Sequence, residues 1–280
     1  MDKLEYKELL DAGVHFGHLT RKWNPKIAPY VFMERNGIHI IDLNKTLAEL
    51  DTATEAVKNI VRSGRKIMFV ATKKQAQEIV TQEAQRLRMP YVTDRWLGGM
   101  LTNFATIRKS LRKMSSIEKM MKEEAYQNLA KRERLMLTRE KEKLEKVLGG
   151  IADLSRLPSA LFVVDIKREH IAIKEAKKLN IPVIGMVDTN SDPTSIQFPI
   201  PANDDAFKSI SLIIKHIGQA IEEALIERKQ QKKDAELKEE EENKKQADEK
   251  QEAEKVNAAA AEATASEEPA QAAESKEAAS

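Results

Sequence analysis

Apolar residues along the chain follow two alternating patterns, short continuous runs and helical spacing. The runs predict buried strands at "KIMFVAT" (66–72), "PYVTD" (90–94), "ALFVVD" (160–165), "IPVIGMVD" (181–188) and "FPIPAN" (198–203). Apolar positions three and four apart predict helices at 43–61, 73–87, 168–180 and 205–227. Because parallel strands require crossover helices, this alternation predicts an α/β body, a three-layer parallel sheet covered on both faces. Spacing alone leaves the order of the strands open.

The N-terminal segment has a different character. Residues 4–12 are predicted to form a short helix that stops at Gly13. The following stretch, "VHFGHLTRKWNPKIAPYVFMERNGIHIIDL", is rich in Pro, Gly and aromatic residues and predicts an irregular arm. The Asn36-Gly37 pair lies between apolar runs and predicts a tight β-hairpin turn.

An insertion separates the second predicted strand from the third. Residues 106–147 hold 13 Lys or Arg against 7 acids. Apolar positions recur in two legs at 107–121 and 137–148, with a break near "EEAYQNLAKRE". The pattern predicts a helical hairpin over 102–149 whose legs reach on the order of 30 Å from the sheet.

Charge divides the chain unevenly. Residues 1–228 hold 38 basic and 30 acidic residues, a net charge of +8, whereas residues from 229 onward carry −6. A basic body favours contact with a polyanion. The segment 229–280 is rich in Glu, Lys, Gln and Ala and is predicted to be mostly disordered, because it buries too little apolar surface to offset its ordering entropy. The organisation expected is a globular domain (1–101 and 150–228), an inserted hairpin and a tail.

Several classes of protein fit the sequence poorly. The chain has no cysteine, which excludes disulfides and thiolate chemistry. No apolar run approaches 18 residues, and "MDKLEYKELL" has no signal-peptide pattern, so a cytosolic protein without membrane contact is expected.

Nucleotide enzymes are the first alternative for an α/β body. The turn after the first sheet strand reads "TKKQAQ", which lacks the glycines that let a backbone close on a pyrophosphate. Gly98-Gly99 has neither a third glycine nor a P-loop lysine. Asp94, Asp165 and Asp188 end predicted strands, where acids also cap the next turn. Because the sequence offers these aspartates no convincing base partner, a capping role is favoured over a catalytic one.

Histidine offers a second alternative. "HFGH" places His15 and His18 three residues apart, but Gly17 interrupts any helix and no acidic cluster lies nearby in sequence. Buried or stacked histidines are therefore favoured over a metal site. No cofactor, metal or small-molecule substrate is expected.

Basic and aromatic residues cluster at four places and suit phosphate contact with base stacking. The alternative is that both tryptophans are core residues and the charges a solvated face. The candidate RNA-binding residues are Arg21, Lys22, Trp23, Asn24, Lys26, Lys73, Lys74, Gln75, Arg95, Trp96, Thr102, Asn103, Arg108, Lys109, Arg112 and Lys113.

Four motifs in order resemble the bacterial small-subunit ribosomal protein S2 family over about residues 2–227. They are "GVHFGHLTRKWNPKIAPYVFMERNGIHIIDL", "FVATKKQAQ", "RWLGGMLTNF" and "DP" (192–193) with "FPIPANDDA", and the inserted hairpin lies between the third and fourth. The resemblance implies a flavodoxin-like or Rossmann-like body with a coiled-coil hairpin and no catalytic activity. It also implies binding to 16S rRNA in the cytoplasmic small ribosomal subunit, contact with neighbouring ribosomal proteins, and help in docking the mRNA-binding ribosomal protein S1 for translation initiation.

The residues alone leave two other hypotheses about the function open. One is a nucleotide-binding α/β enzyme with an atypical phosphate loop, and the other is a protein scaffold held by the hairpin. Saturable nucleotide binding would favour the first, and association that survives ribonuclease would favour the second.

Overall fold

A five-stranded parallel sheet forms the centre of the computed structural model, which describes residues 4–123, 126, 129–231 and 233. Its strands are β4 (Ile67–Val70), β5 (Tyr91–Val92), β6 (Ala160–Val164), β7 (Val183–Val187) and β8 (Phe198–Pro201). Their order across the sheet is β5-β4-β6-β7-β8. Numbered from the first strand of the sheet, this is the 2-1-3-4-5 order of flavodoxin-like folds, which spacing along the chain could not provide.

Helices cover both faces of the sheet. One face packs α2 (Leu43–Arg62), α3 (Lys74–Leu87) and the long helix α7 (residues 207–231) against alternate strand residues such as Phe69 and Phe162. The other face packs α6 (His170–Lys178) against the intervening residues, such as Val70 and Val163. The strands are therefore buried on both sides, and the predicted three-layer α/β body is confirmed.

A small antiparallel sheet precedes the main one. The chain begins with α1 (Tyr6–Asp11), which ends before Gly13 at φ +72°, and continues into β1 (Phe16–Leu19), β2 (Val31–Arg35) and β3 (Ile38–Ile41). The sheet has the order β1-β3-β2. Asn36 and Gly37 connect β2 to β3 with φ of +54° and +73°, the left-handed pair that a type I′ turn requires. The predicted hairpin turn is confirmed.

Two helices fill most of the insertion, α4 (Phe104–Lys122) and α5 (Lys131–Leu148). At their base, Ile107 and Leu111 of α4 and Leu148 of α5 are buried in the core cluster that lies against α6. Farther out, Lys113 forms an ion pair with Glu140 across the two helices. A coiled-coil geometry for the pair stays a prediction. The predicted disorder of the tail falls mostly on residues outside the described part, 232 and 234–280.

The ends of some elements differ from their predicted positions. Helix α6 begins at His170 and not at Arg168, because the chain first makes a turn in which Asp165 adopts φ +64° and its Oδ1 accepts a hydrogen bond from the Arg168 N–H at 3.0 Å. Helix α7 continues past the predicted end at 227 to residue 231. Both differences lie at termini, where periodicity carries the least information.

Candidate nucleic-acid interface

One buried carboxylate organises the loop that leads from β5 into α4. Glu175 of α6 is 8 % exposed and accepts hydrogen bonds from five donors of this loop. The donors are the Trp96 indole Nε1 (3.1 Å), the backbone N–H groups of Gly99 (2.7 Å), Leu101 (2.9 Å) and Thr102 (3.1 Å), and the Thr102 hydroxyl (3.2 Å). The bend at Gly98-Gly99 is thus wrapped around a side chain from another element.

The hydrogen-bond donors around Glu175 favour its ionised form. Burial opposes ionisation, but the N–H groups of Thr102, Gly99 and Leu101 and the indole of Trp96 outweigh it and hold the pKa of this carboxyl below its ordinary value. Gly99 adopts φ +86°, which glycine tolerates best. The loop is therefore fixed at its centre, while Arg95, Thr102 and Asn103 are exposed.

Trp96 lies in the core. Its ring is 6 % exposed and belongs to the hydrophobic cluster that also contains Met100 and Leu101. Its indole N–H is used by Glu175. Contact of Trp96 with RNA stays a prediction, and the structure gives this side chain a packing role at the base of the loop.

The N-terminal arm is attached to the end of β7 through Thr189. The Thr189 hydroxyl accepts the His18 N–H at 2.7 Å, and the Thr189 carbonyl accepts the Asn24 N–H at 2.8 Å. A Cβ at Gly17 would lie 2.5 Å from Thr189 Cγ2, so only glycine permits this approach. Beyond the attachment, Trp23 is exposed and lies with its ring centroid 4.8 Å from that of His39.

A groove runs between this arm and α6. It has a volume of about 360 Å³, and its walls include Asn24 from the arm, Asp192 from the loop after β7, and three exposed lysines of the α6 region, Lys167, Lys174 and Lys177. Asp192 is already paired with Lys26 at 2.6 Å. The three lysines leave the groove basic. Nothing in the sequence indicated this groove, because the helix predicted at 168–180 was interpreted only as cover for the sheet.

The predicted RNA-binding residues divide by exposure. Asn24 is partly buried, and Lys73 and Trp96 are buried. The remaining thirteen are exposed: Arg21, Lys22, Trp23, Lys26, Lys74, Gln75, Arg95, Thr102, Asn103, Arg108, Lys109, Arg112 and Lys113. On α4, the last four face away from the buried Ile107 and Leu111 and form a basic stripe in contact with solvent.

Lys73 lies instead in a polar cluster at the carboxyl edge of the sheet. Its ammonium is 2.6 Å from Asp204 Oδ1, 2.6 Å from Asp205 Oδ1 and 3.7 Å from Asp165 Oδ2. His18 joins the same cluster, with Nδ1 3.0 Å from Asp188 Oδ2 and Nε2 3.4 Å from Asp205 Oδ2. Strands that end at one edge thus bring together aspartates that are distant in sequence.

Electrostatics in this cluster are dominated by crowded carboxylates. Burial and the charges of Asp188 and Asp165 raise the pKa of Asp204 to about 7, although Lys73 opposes the shift. The hydrogen bond to Asp188 raises the pKa of His18. The capping role predicted for Asp165 is confirmed by its bond to the Arg168 N–H, and Asp188 likewise accepts the Thr189 N–H at 2.5 Å. Asp165 and Asp188 also contact Lys73 and His18 of this cluster, and the sequence did not predict these contacts.

The crevice between β4 and β6 is where flavodoxin-like folds bind ligands. Here a space of about 430 Å³ is lined by residues that include Thr72, Arg168 and Glu169. Glu169 accepts the Thr72 N–H at 3.0 Å, and Arg168 Nε donates to the Thr72 hydroxyl at 2.8 Å. An acidic side chain on the backbone N–H that follows the strand disfavours a phosphate group there. The crevice gives the nucleotide-enzyme alternative no support.

Comparisons with known proteins agree with the resemblance seen in the motifs. Residues 9–224 match the model of the family described as "Ribosomal protein S2". A relative from Cytophaga hutchinsonii, named "Small ribosomal subunit protein uS2", is 76% identical over 236 residues, covering 84% of this chain and 93% of its own length. Relatives of the same name from Flavobacterium johnsoniae (63% identical; 82% and 91% covered) and Parabacteroides distasonis (60%; 84% and 85%) are also similar. Together with the family match, these relatives show that the chain belongs to the ribosomal protein S2 family.

Proposed function

We propose that this chain is built into the small ribosomal subunit by direct contact with 16S rRNA, through the N-terminal arm, the groove between this arm and α6, the loop at 94–103 and the basic stripe of α4. As a member of the ribosomal protein S2 family, it is a structural ribosomal protein of the cytoplasmic small subunit and not an enzyme. None of the helices in the described part of the chain has the length and the apolar character that a membrane span requires.

The basic groove between the arm and α6 supports the RNA contact most directly. Lys167, Lys174 and Lys177 line it. Exposed lysines bind phosphates without reading sequence, which suits a protein that recognises the shape of folded RNA. The globular body and the α4–α5 insertion would then act as two parts of one interface, while the acidic tail points away from the phosphates because like charges repel.

Removing the groove charges tests this contact. A Lys167→Ala, Lys174→Ala, Lys177→Ala variant is expected to bind 16S rRNA more weakly and to reduce the slope of log K against log salt by roughly 2, since three phosphate contacts are lost. The matched control is Lys7→Ala, Lys208→Ala, Lys215→Ala, which removes the same charge from exposed positions on α1 and at α7. Filter binding at a series of salt concentrations measures both quantities.

Two further outcomes limit the interpretation. A chain ending at residue 232 is expected to bind with undiminished affinity, because the tail lies away from the RNA in this proposal. Equal salt slopes for the groove variant and its control would remove the groove from the interface.

Docking of ribosomal protein S1 is the second part of the proposal, and it rests on the family resemblance and on an apolar surface. In the small sheet, Phe16 and Met33 pair with Ile40 from either side and are 48% and 49% exposed. An apolar row of this kind suits a protein partner better than an RNA. Small subunits carrying Phe16→Ser and Met33→Ser are expected to retain this chain and to lose S1 in immunoblots, and retention of S1 would exclude this surface.

A further inference from the structure

A groove of about 880 Å³ lies between the N-terminal helix α1 and the long helix α7. Its lining shares no residue with the basic groove beside α6 or with the basic stripe of α4. Residues between 212 and 226 of α7 form one wall, and Leu4, Glu5 and Glu8 form the other. At 1.5 Å per residue the α7 wall is about 21 Å long, which is the length of a helix of about four turns.

Apolar side chains contribute part of this lining. Leu4 and Leu212 are partly buried and pack against the hydrophobic core. Ile226 is 49% exposed at the end of the α7 wall. Their remaining surface lies in a concave site between two helices, where an apolar side chain of a partner is shielded from water on more than one side.

The charge of the lining is negative, although residues 1–228 as a whole are basic. Four glutamates and one lysine, Lys215, line the groove. Glu222 and Glu223 form ion pairs with basic residues of α3 and α2, at 2.5 and 2.7 Å. Glu5 and Glu8 form a capping box at the start of α1 and are exposed, and in the described part of the chain they pair with no basic side chain. The groove therefore offers two carboxylates that have no ion pair of their own.

A buried histidine lies in the same groove. His216 is 6% exposed and belongs to the α7 wall. Burial lowers the pKa of its imidazole, so near pH 7 the ring is neutral, with one nitrogen that donates and one that accepts. Neither nitrogen forms a hydrogen bond with the residues that the structure describes. Because a buried polar group without a partner is costly, a ligand that supplies a hydrogen bond here is favoured.

We propose that this groove binds a basic amphipathic helix of a neighbouring protein in the small ribosomal subunit. Lys or Arg side chains of that helix pair with Glu5 and Glu8. Its apolar side chains, spaced three and four residues apart, pack on Leu4, Leu212 and Ile226. The chain is then held by RNA on its basic surfaces and by protein on this acidic one.

Charge decides between a protein and an RNA as the occupant. The glutamates of the lining repel phosphates, whereas they attract the Lys and Arg side chains of a protein. A helix also matches the length of the α7 wall and can present a polar side chain to the buried imidazole. The groove thus fits a kind of partner that the basic surfaces do not.

Photo-crosslinking in assembled small subunits tests the proposal. The photo-activated residue p-benzoylphenylalanine replaces Gln219, which is exposed and lies in the α7 wall. We expect a crosslink that resists ribonuclease, and we expect peptide mass spectrometry to place it on a segment rich in Lys or Arg with apolar residues at helical spacing. If this variant fails to fold or assemble, Ile226, which is 49% exposed, takes the probe instead.

A synthetic peptide of the crosslinked segment then measures the role of the two free carboxylates. The Glu5→Gln, Glu8→Gln variant is expected to bind it about fivefold more weakly than the wild-type chain, because two exposed ion pairs are lost. Glutamine keeps the acceptor oxygens of the capping box, so α1 is retained. The matched control is Glu55→Gln, Glu78→Gln, which removes two exposed carboxylates of α2 and α3 outside the groove.

Several results would overturn the proposal. They are a crosslink to rRNA, to a second copy of this chain, to another part of the same chain, or to a segment without basic residues. The absence of any crosslink from both probe positions has the same meaning. Equal peptide affinities for the groove variant and its control would show that the acidic lining does not hold the partner.

Discussion

Replacing Glu175 with alanine is expected to lower the free energy of unfolding by about 3 to 5 kcal/mol, because it leaves several buried donors unpaired at once. The carboxylate accepts from the Trp96 indole and from three backbone N–H groups, of which that of Leu101 is buried. Without it, the loop at 94–103 loses its anchor and Arg95 loses its fixed position. Urea denaturation followed by tryptophan fluorescence measures the change, since Trp96 reports directly on the loop.

Two variants control this prediction. Glu175→Gln keeps the size of the side chain and one acceptor oxygen but adds two donors that face other donors, so an intermediate loss is expected. Glu78→Ala removes an exposed carboxylate from α3 and should change the stability by less than about 0.5 kcal/mol. If Glu175→Ala were as stable as Glu78→Ala, the loop would not depend on this carboxylate.

The pH dependence gives a second readout of the same contact. The pKa of Glu175 is lower in the folded chain than its ordinary value of 4.5, so the folded state favours the ionised form. Its contribution is complete above the unfolded pKa and is lost as the pH falls through the folded pKa. The difference in stability between wild type and Glu175→Gln should therefore shrink below about pH 4.

Reversing the charge of the α4 stripe is expected to weaken binding to 16S rRNA by about 100-fold or more. Changing Arg108, Lys109, Arg112 and Lys113 to Glu removes four exposed cations and adds four charges that repel phosphates. Helix α4 should persist, because the four positions are exposed and Glu has nearly the same helix propensity as Lys and Arg. Lys113→Glu does lose the ion pair with Glu140, a surface contact worth at most about 1 kcal/mol.

The control variant changes four lysines of the tail to Glu and so alters the net charge by the same amount. These lysines are Lys238, Lys244, Lys245 and Lys250. Assembly into small subunits, measured by competition between tagged variant and wild-type chains, should fall for the stripe variant and stay near wild type for the tail variant. Equal effects would mean that net charge, and not the position of the stripe, governs assembly.

The local pattern of apolar runs and turn residues predicted most of the fold. Continuous apolar runs such as 160–164 and 183–187 became central strands because burial on both faces demands them, and Asn36-Gly37 became a tight turn because both residues tolerate positive φ. Strand order could not be predicted, since it depends on which helix crosses which face. The strand predicted at 160–165 ends one residue earlier, at Val164, because Asp165 begins a local turn.

The candidate site was less accessible to sequence reasoning because its contacts are long-range. Trp96 was grouped with exposed arginine on the basis of adjacency, whereas packing turned its ring inward and Arg95 outward. Glu175 appears as an ordinary acid on an amphipathic helix until the loop is folded around it. The meeting of His18 with Asp204 likewise depends on the arm and β8 reaching the same edge. The run "ANDD" after the last strand was the one signal that could have indicated it.

This chain is expected to work as an RNA-bound part of the small ribosomal subunit. Sedimentation of a cell lysate through sucrose gradients, with the chain followed by immunoblot before and after ribonuclease and at two salt concentrations, tests it most directly. We expect the chain to co-migrate with small subunits, and we expect ribonuclease to abolish this co-migration and higher salt to reduce it. A free, slowly sedimenting chain at low salt, or association that survives ribonuclease, would contradict it.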